Sequence, residues 1–189
     1  MKNLLALFLF IASISFSKAQ TFQSIERVDA VTGKSVQVES LIRDKALVLV
    51  FHSLKCPFAN MYQDRIIDLK NNYSNKGITF ALVNPEATAD QEAELRKFVD
   101  DSEVNASYLI DEDLLLVKQL GITKIPEIII LIPGENGLEI AYKGAIDNNP
   151  QAANSVSERS LERAINQVLR GEKPSPAQIR ATGCNVKSF

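Results

Sequence analysis

The side chains able to do covalent chemistry are few: two cysteines, Cys56 and Cys184, and one histidine, His52. Cys56 stands in Ser53-Leu54-Lys55-Cys56-Pro57-Phe58-Ala59, between an apolar run and the start of an amphipathic one. A helix opening there would turn unpaired N–H groups and the positive end of its macrodipole toward the sulfur, and both favour thiolate over thiol. Lys55 adds a cation, and Pro57 suits the first helical turn, where no N–H is needed. Such a setting lowers a cysteine pKa from about 8.5 toward neutrality and makes the sulfur a nucleophile. The expectation is therefore an exposed, anionic sulfur. The competing reading is a half-buried cysteine that packs as a small apolar side chain.

His52 could tune that thiolate or take a proton from a leaving thiol, or be a partly buried, hydrogen-bonded side chain at a strand end. With Cys56 and Cys184 it offers too few ligands for a zinc or copper site, so neither metal nor cofactor is expected. The acidic group Asp111, Glu112 and Asp113 reads as the charged start of a helix.

The elements that must position these residues follow from hydrophobic spacing. Ala46 to Phe51 is continuously apolar, as a strand buried on both faces would be. Ala59, Tyr62, Ile66, Leu69 and Tyr73 fall three and four apart, one stripe of a helix. Ile78 to Val83 and Ser107 to Ile110 read as strands. Thr88 and Gln91 form a capping box ahead of Ala93, Leu95, Phe98 and Val99. Leu114 to Leu120 is a short helix stopped by Gly121. Glu127 to Ile132 and Leu138 to Tyr142 form a hairpin around Pro133-Gly134-Glu135-Asn136-Gly137.

A last helix opens with a capping box at Ser155 and Glu158, buries Leu161, Ala164, Ile165, Val168 and Leu169, and ends at Gly171. The order predicts an α/β fold with a central mixed sheet and helices on both faces.

The chain has 189 residues, 46% hydrophobic and 23% charged, which suits one globular domain and rules out low-complexity disorder. Its 21 basic and 23 acidic residues give a formal charge of -2, so no general attraction to nucleic acid is expected. Lys2, the apolar stretch Leu4 to Ile14 and the small residues Ser17 and Ala19 have the order of a secretory signal. As a helix that stretch would rise only about 16 Å, short of the roughly 30 Å hydrocarbon core, so no membrane span is expected. Cleavage near Ala19 would deliver the chain to the periplasm or the exterior, where disulfides form.

Ile125-Pro126 directly precedes the Glu127 strand. A trans bond would simply open that strand, whereas a cis bond would leave the Ile125 peptide groups free to pair with an extended chain. Taken with the Cys56 segment, it resembles the thioredoxin superfamily over nearly all of the mature chain. The segment Cys56-Pro57-Phe58-Ala59-Asn60-Met61-Tyr62 is similar to a branch of secreted bacterial redoxin-domain proteins related to the thiol-specific antioxidant group. Tyr142-Lys143-Gly144-Ala145-Ile146-Asp147 and Thr182-Gly183-Cys184 match that branch as well.

The resemblance implies a thioredoxin-like fold with Cys56 as the nucleophile and a cis Pro126 facing it. With the secretory order of the first residues, and with two prolines and no apolar period after Gly171, the chain is expected to divide into a signal peptide at 1–19, a redoxin domain at 20–171 and an extended tail at 172–189.

Thioredoxins carry a second cysteine three residues after the first, and Ala59 stands there in this chain. A lone thiol cannot release a mixed disulfide by internal attack, and Cys184 is the sole other thiol. Three readings follow. The pair cycles during turnover; it is a permanent staple, which loop entropy values at roughly 5 kcal/mol; or both thiols rest unpaired.

Ser53-Leu54-Lys55-Cys56-Pro57 also resembles part of the peroxiredoxin signature, in which a hydroxyl three residues before the cysteine and an arginine orient a peroxide. Leu49 replaces that signature's proline, and Arg65 lies about two and a half helical turns from Cys56. A binding module that keeps the fold and forgoes the chemistry is a third class.

The expected activity is exported thiol–disulfide exchange by Cys56, with Cys184 resolving. Ile125, Pro126 and Pro57 would shape the docking groove, and Lys55, His52 and Ser53 would tune it. Partners would be protein or small-molecule thiols and disulfides, with peroxides under the peroxidase reading. The oligomeric state stays open.

Overall fold

The computed structural model describes residues 21–186, so the expected signal segment lies outside the described residues. The chain opens with three short strands: β1 (Thr21–Phe22), β2 (Glu26–Asp29) and β3 (Lys34–Gln37). The apolar runs follow as β4 (Ala46–Phe51) and β5 (Ile78–Asn84), with α1 (Pro57–Ser74) between them. Next come α2 (Glu92–Ser102), β6 (Ser107–Ile110) and α3 (Leu115–Leu120). The two-residue β7 (Lys124–Ile125) precedes the hairpin β8 (Glu127–Gly134) and β9 (Gly137–Gly144). The chain closes with α4 (Ser160–Leu169), β10 (Gln178–Ile179) and β11 (Cys184–Asn185).

Eight strands lie in the order β1-β9-β8-β4-β5-β6-β2-β3, and β10 adds to β9. The centre β4-β5-β6 is parallel, and β8 joins β4 antiparallel. Every residue of β4 is buried, because successive side chains point to opposite faces and both faces are covered. Val48 and Val50 face α1, α2 and α4 through Tyr62, Ile66, Leu95 and Ile165. Leu47, Leu49 and Phe51 face α3 through Leu116 and Leu120. This is the mixed sheet with helices on both faces that the hydrophobic spacing predicts. No helix among the described residues is long and apolar enough to cross a membrane.

Two elements depart from expectation. The β8–β9 turn is tighter, with Gly134 opposite Gly137 and only Glu135 and Asn136 between them. Gly137 adopts φ 116°, a backbone open to glycine at little cost. The helix expected from Ser155 begins at Ser160, and Ser155 ends a separate single turn. The Asn148 amide explains the delay: its oxygen accepts from the Ser157 and Glu158 N–H groups, both at 3.2 Å, so no capping box forms. The capping box at Thr88 and Gln91 is present, ahead of a short turn that leads into α2.

The extended tail is laid along the molecule in two places. Gln178 and Ile179 pair in parallel with Lys143 and Gly144 on the edge of β9. Further on, Cys184 and Asn185 pair antiparallel with Ile125 and Lys124.

Candidate active site around Cys56 and Cys184

Cys56 is the N-cap of α1, with extended backbone (φ -94°, ψ 115°) and Pro57 in the first turn. Its carbonyl accepts from the Ala59 and Asn60 N–H groups at 3.0 and 3.3 Å, which are the first bonds of the helix. The stretch leading into it is a tight turn: the Cys56 N–H donates to the Ser53 carbonyl at 3.2 Å, and the Lys55 N–H to Ser53 Oγ at 3.2 Å. Serine suits that corner because its hydroxyl can satisfy a nearby main-chain group.

The helix behind the sulfur is tied down at its second turn. Tyr62 donates its hydroxyl to Asp147 at 2.9 Å, and Arg65 donates to the same carboxylate at 2.6 Å. The two motif segments Cys56–Tyr62 and Tyr142–Asp147 thus meet through Asp147.

Cys56 and Cys184 form a disulfide, with sulfurs 1.98 Å and α-carbons 6.1 Å apart across 128 positions of sequence. This excludes unpaired thiols as the state described here. It also corrects the picture of an exposed, anionic sulfur: Cys56 is 2% exposed, clustered with Ala59 and Ile125, and cannot titrate while bonded. The tail contributes to the burial, because Val186 and Cys184 itself pack on that cluster, as does Phe58. Cys184 keeps partial exposure, and both cysteines line an open cleft of about 510 Å³ with Lys55, Glu86 and Glu112. A cleft of similar volume, about 550 Å³, lies at the N-terminal ends of β5 and β6 and contains no cysteine.

The Ile125–Pro126 peptide is cis, as the resemblance implied, and the Ile125 carbonyl oxygen lies 3.1 Å from Cys56 Sγ. Ile125 is also the main-chain partner of Cys184. The edge read as a docking place for an extended chain is therefore occupied by this chain's own tail.

Its position is fixed by a residue that hydropathy did not single out. Glu127, 5% exposed, accepts the Thr123 and Lys124 N–H groups at 2.8 and 3.1 Å. The only signal for it in the sequence is a carboxylate opening an otherwise apolar strand, a place where buried charge must find partners.

The three candidate tuning residues fall in different surroundings. Lys55 is exposed at the mouth of the cleft. Ser53 donates its hydroxyl to Glu86 at 2.5 Å. His52, 1% exposed, sits in an aromatic cluster, its ring centroid 5.1 Å from Phe98 and 5.6 Å from Tyr108. Its Nδ1 is 2.6 Å from the Tyr108 hydroxyl, and Nε2 has no partner among the described residues. Burial lowers its pKa from 6.5 to about 4, so the imidazole is neutral at ordinary pH. It belongs to the core, and its hydrogen bond goes to Tyr108 and to neither sulfur. No group of three or more His, Cys, Asp and Glu side chains among the described residues is placed to hold a metal ion.

Solved structures with the same fold bear out its thioredoxin-like character. An uncharacterized conserved protein of Geobacillus kaustophilus, 24% identical, aligns with a TM-score of 0.79 over 90% of this chain and 92% of its own. Peroxidoxin BcpB of Mycobacterium tuberculosis, 15% identical, gives 0.61 over 81% and 96%. A thiol:disulfide interchange protein from Bacteroides sp., 18% identical, gives 0.54 over 67% and 80%. No curated protein matches the chain. The sequence pattern of the AhpC/TSA family matches residues 17–142, and the chain belongs to that family.

Proposed function

We propose that the protein is an exported thiol–disulfide oxidoreductase whose working bond is Cys56–Cys184. The observation that carries this reading is the pairing itself: the sulfur at the N-terminus of α1 is bonded to a tail cysteine lying on the Ile125 edge. In the reduced protein the first N–H groups of α1, with Lys55 nearby, would stabilise a Cys56 thiolate. That thiolate attacks one sulfur of a partner disulfide, forming a Cys56–partner bond while the partner's other sulfur leaves as thiolate. The Cys184 thiolate then attacks Cys56, releasing the partner's second thiolate and restoring the internal bond. The chain gives up two electrons and the partner disulfide accepts them. A dithiol donor reverses the sequence. Ile125, Pro126 and Pro57 form the surface on which the partner lies.

The surroundings favour exchange over peroxide reduction. The Ser53 hydroxyl, which would have to orient a peroxide, is engaged by Glu86. The Arg65 guanidinium is taken up by Asp147 and by the carbonyls of Asn149, Pro150 and Met61. Export is supported by the order of residues 1–19 and by a disulfide, which suits an oxidising compartment.

Insulin reduction with a dithiol donor tests the reading. Wild type should be active, Cys56→Ser inactive, and Cys184→Ser should accumulate mixed disulfides on Cys56. If both variants match wild type, the bond is a staple and the protein a binding module. Rapid sulfenic acid formation in stopped flow with hydrogen peroxide would move the assignment to a thiol peroxidase.

A further inference from the structure

Gly183 sets a condition on what can lie beside Cys56. A β-carbon built on it would meet the Ile125 carbonyl oxygen at 2.1 Å, the Ile125 carbonyl carbon at 2.6 Å and the Pro126 nitrogen at 3.1 Å. All three are main-chain atoms, so no side-chain rotation relieves the overlap. The loop they belong to is held by Glu127 through the Thr123 and Lys124 N–H groups. Only glycine lets the chain pass at this height.

The residues after it complete a short pattern. Cys184 is the partner of Ile125 and carries the sulfur bonded to Cys56. Asn185 faces solvent, its side-chain oxygen 2.5 Å from Lys124 Nζ. Val186 donates its N–H to the Thr123 carbonyl at 3.1 Å and packs on the Cys56, Ala59 and Ile125 cluster. Main-chain pairing of this kind binds any extended chain, and pockets or tight passages at particular positions make it selective.

We propose that this groove selects partner segments in which the reacting cysteine is directly preceded by glycine and followed, two residues later, by an apolar side chain. The tail is the intramolecular form of that ligand. The proposal rests on the exchange activity proposed above and names its substrate class: extended polypeptide bearing Gly-Cys-polar-apolar, its cysteine held in a disulfide. In the selective step the Cys56 thiolate bonds to the sulfur of that cysteine, the segment's original S–S bond breaks, and its other sulfur departs as thiolate. A segment with a side chain before the cysteine cannot take the register of the tail, so its sulfur does not reach Cys56 in this way.

The test uses full-length, reduced Cys184→Ser protein and three peptides, each with its cysteine joined to thionitrobenzoate. They contain Gly-Cys-Asn-Val, Ala-Cys-Asn-Val or Gly-Cys-Asn-Asp. Attack by Cys56 on the peptide sulfur releases coloured thionitrobenzoate, and mass mapping locates the adduct. The alanine and aspartate peptides should each react roughly tenfold more slowly than the first. Rates within about twofold of one another would overturn the selectivity while leaving exchange at Cys56 intact. No adduct on Cys56 with any peptide would overturn both proposals.

A second variant reads the same contact within the chain. Gly183→Ala, with both cysteines retained, should shift the glutathione equilibrium of the internal bond toward the dithiol by about tenfold. An unchanged equilibrium would overturn the proposal.

Discussion

The main chain of Cys184 runs antiparallel to that of Ile125, while the Cys184 sulfur is bonded to Cys56. Anchor and strand are thus the same residue. A strand of only two residues gains about 1 kcal/mol per hydrogen bond against an ordering cost of about 1–2 kcal/mol per residue, so it needs its covalent anchor.

Reduction should therefore release residues 184–186 first. Hydrogen exchange at Cys184 and Val186 should speed up on adding a dithiol, while β4 and β5 keep their protection. Opening a loop of 128 positions should also lower stability by about 5 kcal/mol on the chain-entropy account, read from urea midpoints with and without reductant. Unchanged exchange at 184–186 would mean that packing alone, chiefly Val186, holds the tail.

Glu127 governs the edge that the tail occupies. Glu127→Ala leaves the Thr123 and Lys124 N–H groups without their acceptor, and should cost about 2–4 kcal/mol, taking about 1–2 for each unpaired group. Glu127→Gln keeps an acceptor oxygen and should recover most of the stability and of the insulin-reducing rate. An equal loss in both variants would shift the explanation to charge, since Lys143 Nζ stands 3.9 Å from the same carboxylate.

What the sequence revealed and what it hid divide along physical lines. β4, β5, β6 and β8 are largely buried on both faces, so mainly apolar runs announce them, and Pro57, suited to a first helical turn, marks the corner carrying Cys56. The tail strands β10 and β11 are two residues long and held by main-chain groups, which every residue possesses, so no side-chain pattern gives them away. The hairpin β2–β3 was missed for a related reason: Arg27 and Asp29 fill buried positions where periodicity looks for apolar residues. Gly183 carries no side chain to read at all, and only the nearness of Ile125 gives it meaning.

That buried arginine joins the N-terminal hairpin to α3. Arg27, 9% exposed, donates to Asp111 at 2.8 Å and to Asp113 at 2.7 Å. Asp111, fully buried, also accepts the Leu116 and Val117 N–H groups, both at 3.0 Å, and so caps α3. Burial pushes its carboxyl pKa up, and those two N–H groups and the guanidinium act in the opposite direction. Arg27→Met should cost about 3–5 kcal/mol because it leaves a buried carboxylate without its counter-ion. Adding Asp111→Asn to that background should return part of the loss in a urea titration. No recovery would assign the effect to packing of the arginine stem.

His52 should make the fold sensitive to mild acid. Above pH 6.5 the imidazole is neutral in both folded and unfolded chains, and it contributes no slope. Between 6.5 and about 4 the unfolded chain takes up a proton that the buried ring, desolvated beside Phe98 and Tyr108, refuses. Unfolding is therefore favoured as pH falls through that window, and the loss levels off below about 4 at roughly 3 kcal/mol. His52→Phe keeps an aromatic ring in the cluster and removes the titrating group. Its urea midpoint should fall less steeply than that of wild type over the same window, although it forfeits the bond to Tyr108 at every pH. Parallel pH profiles for the two proteins would place the acid sensitivity elsewhere, with the buried carboxylates the groups to examine next.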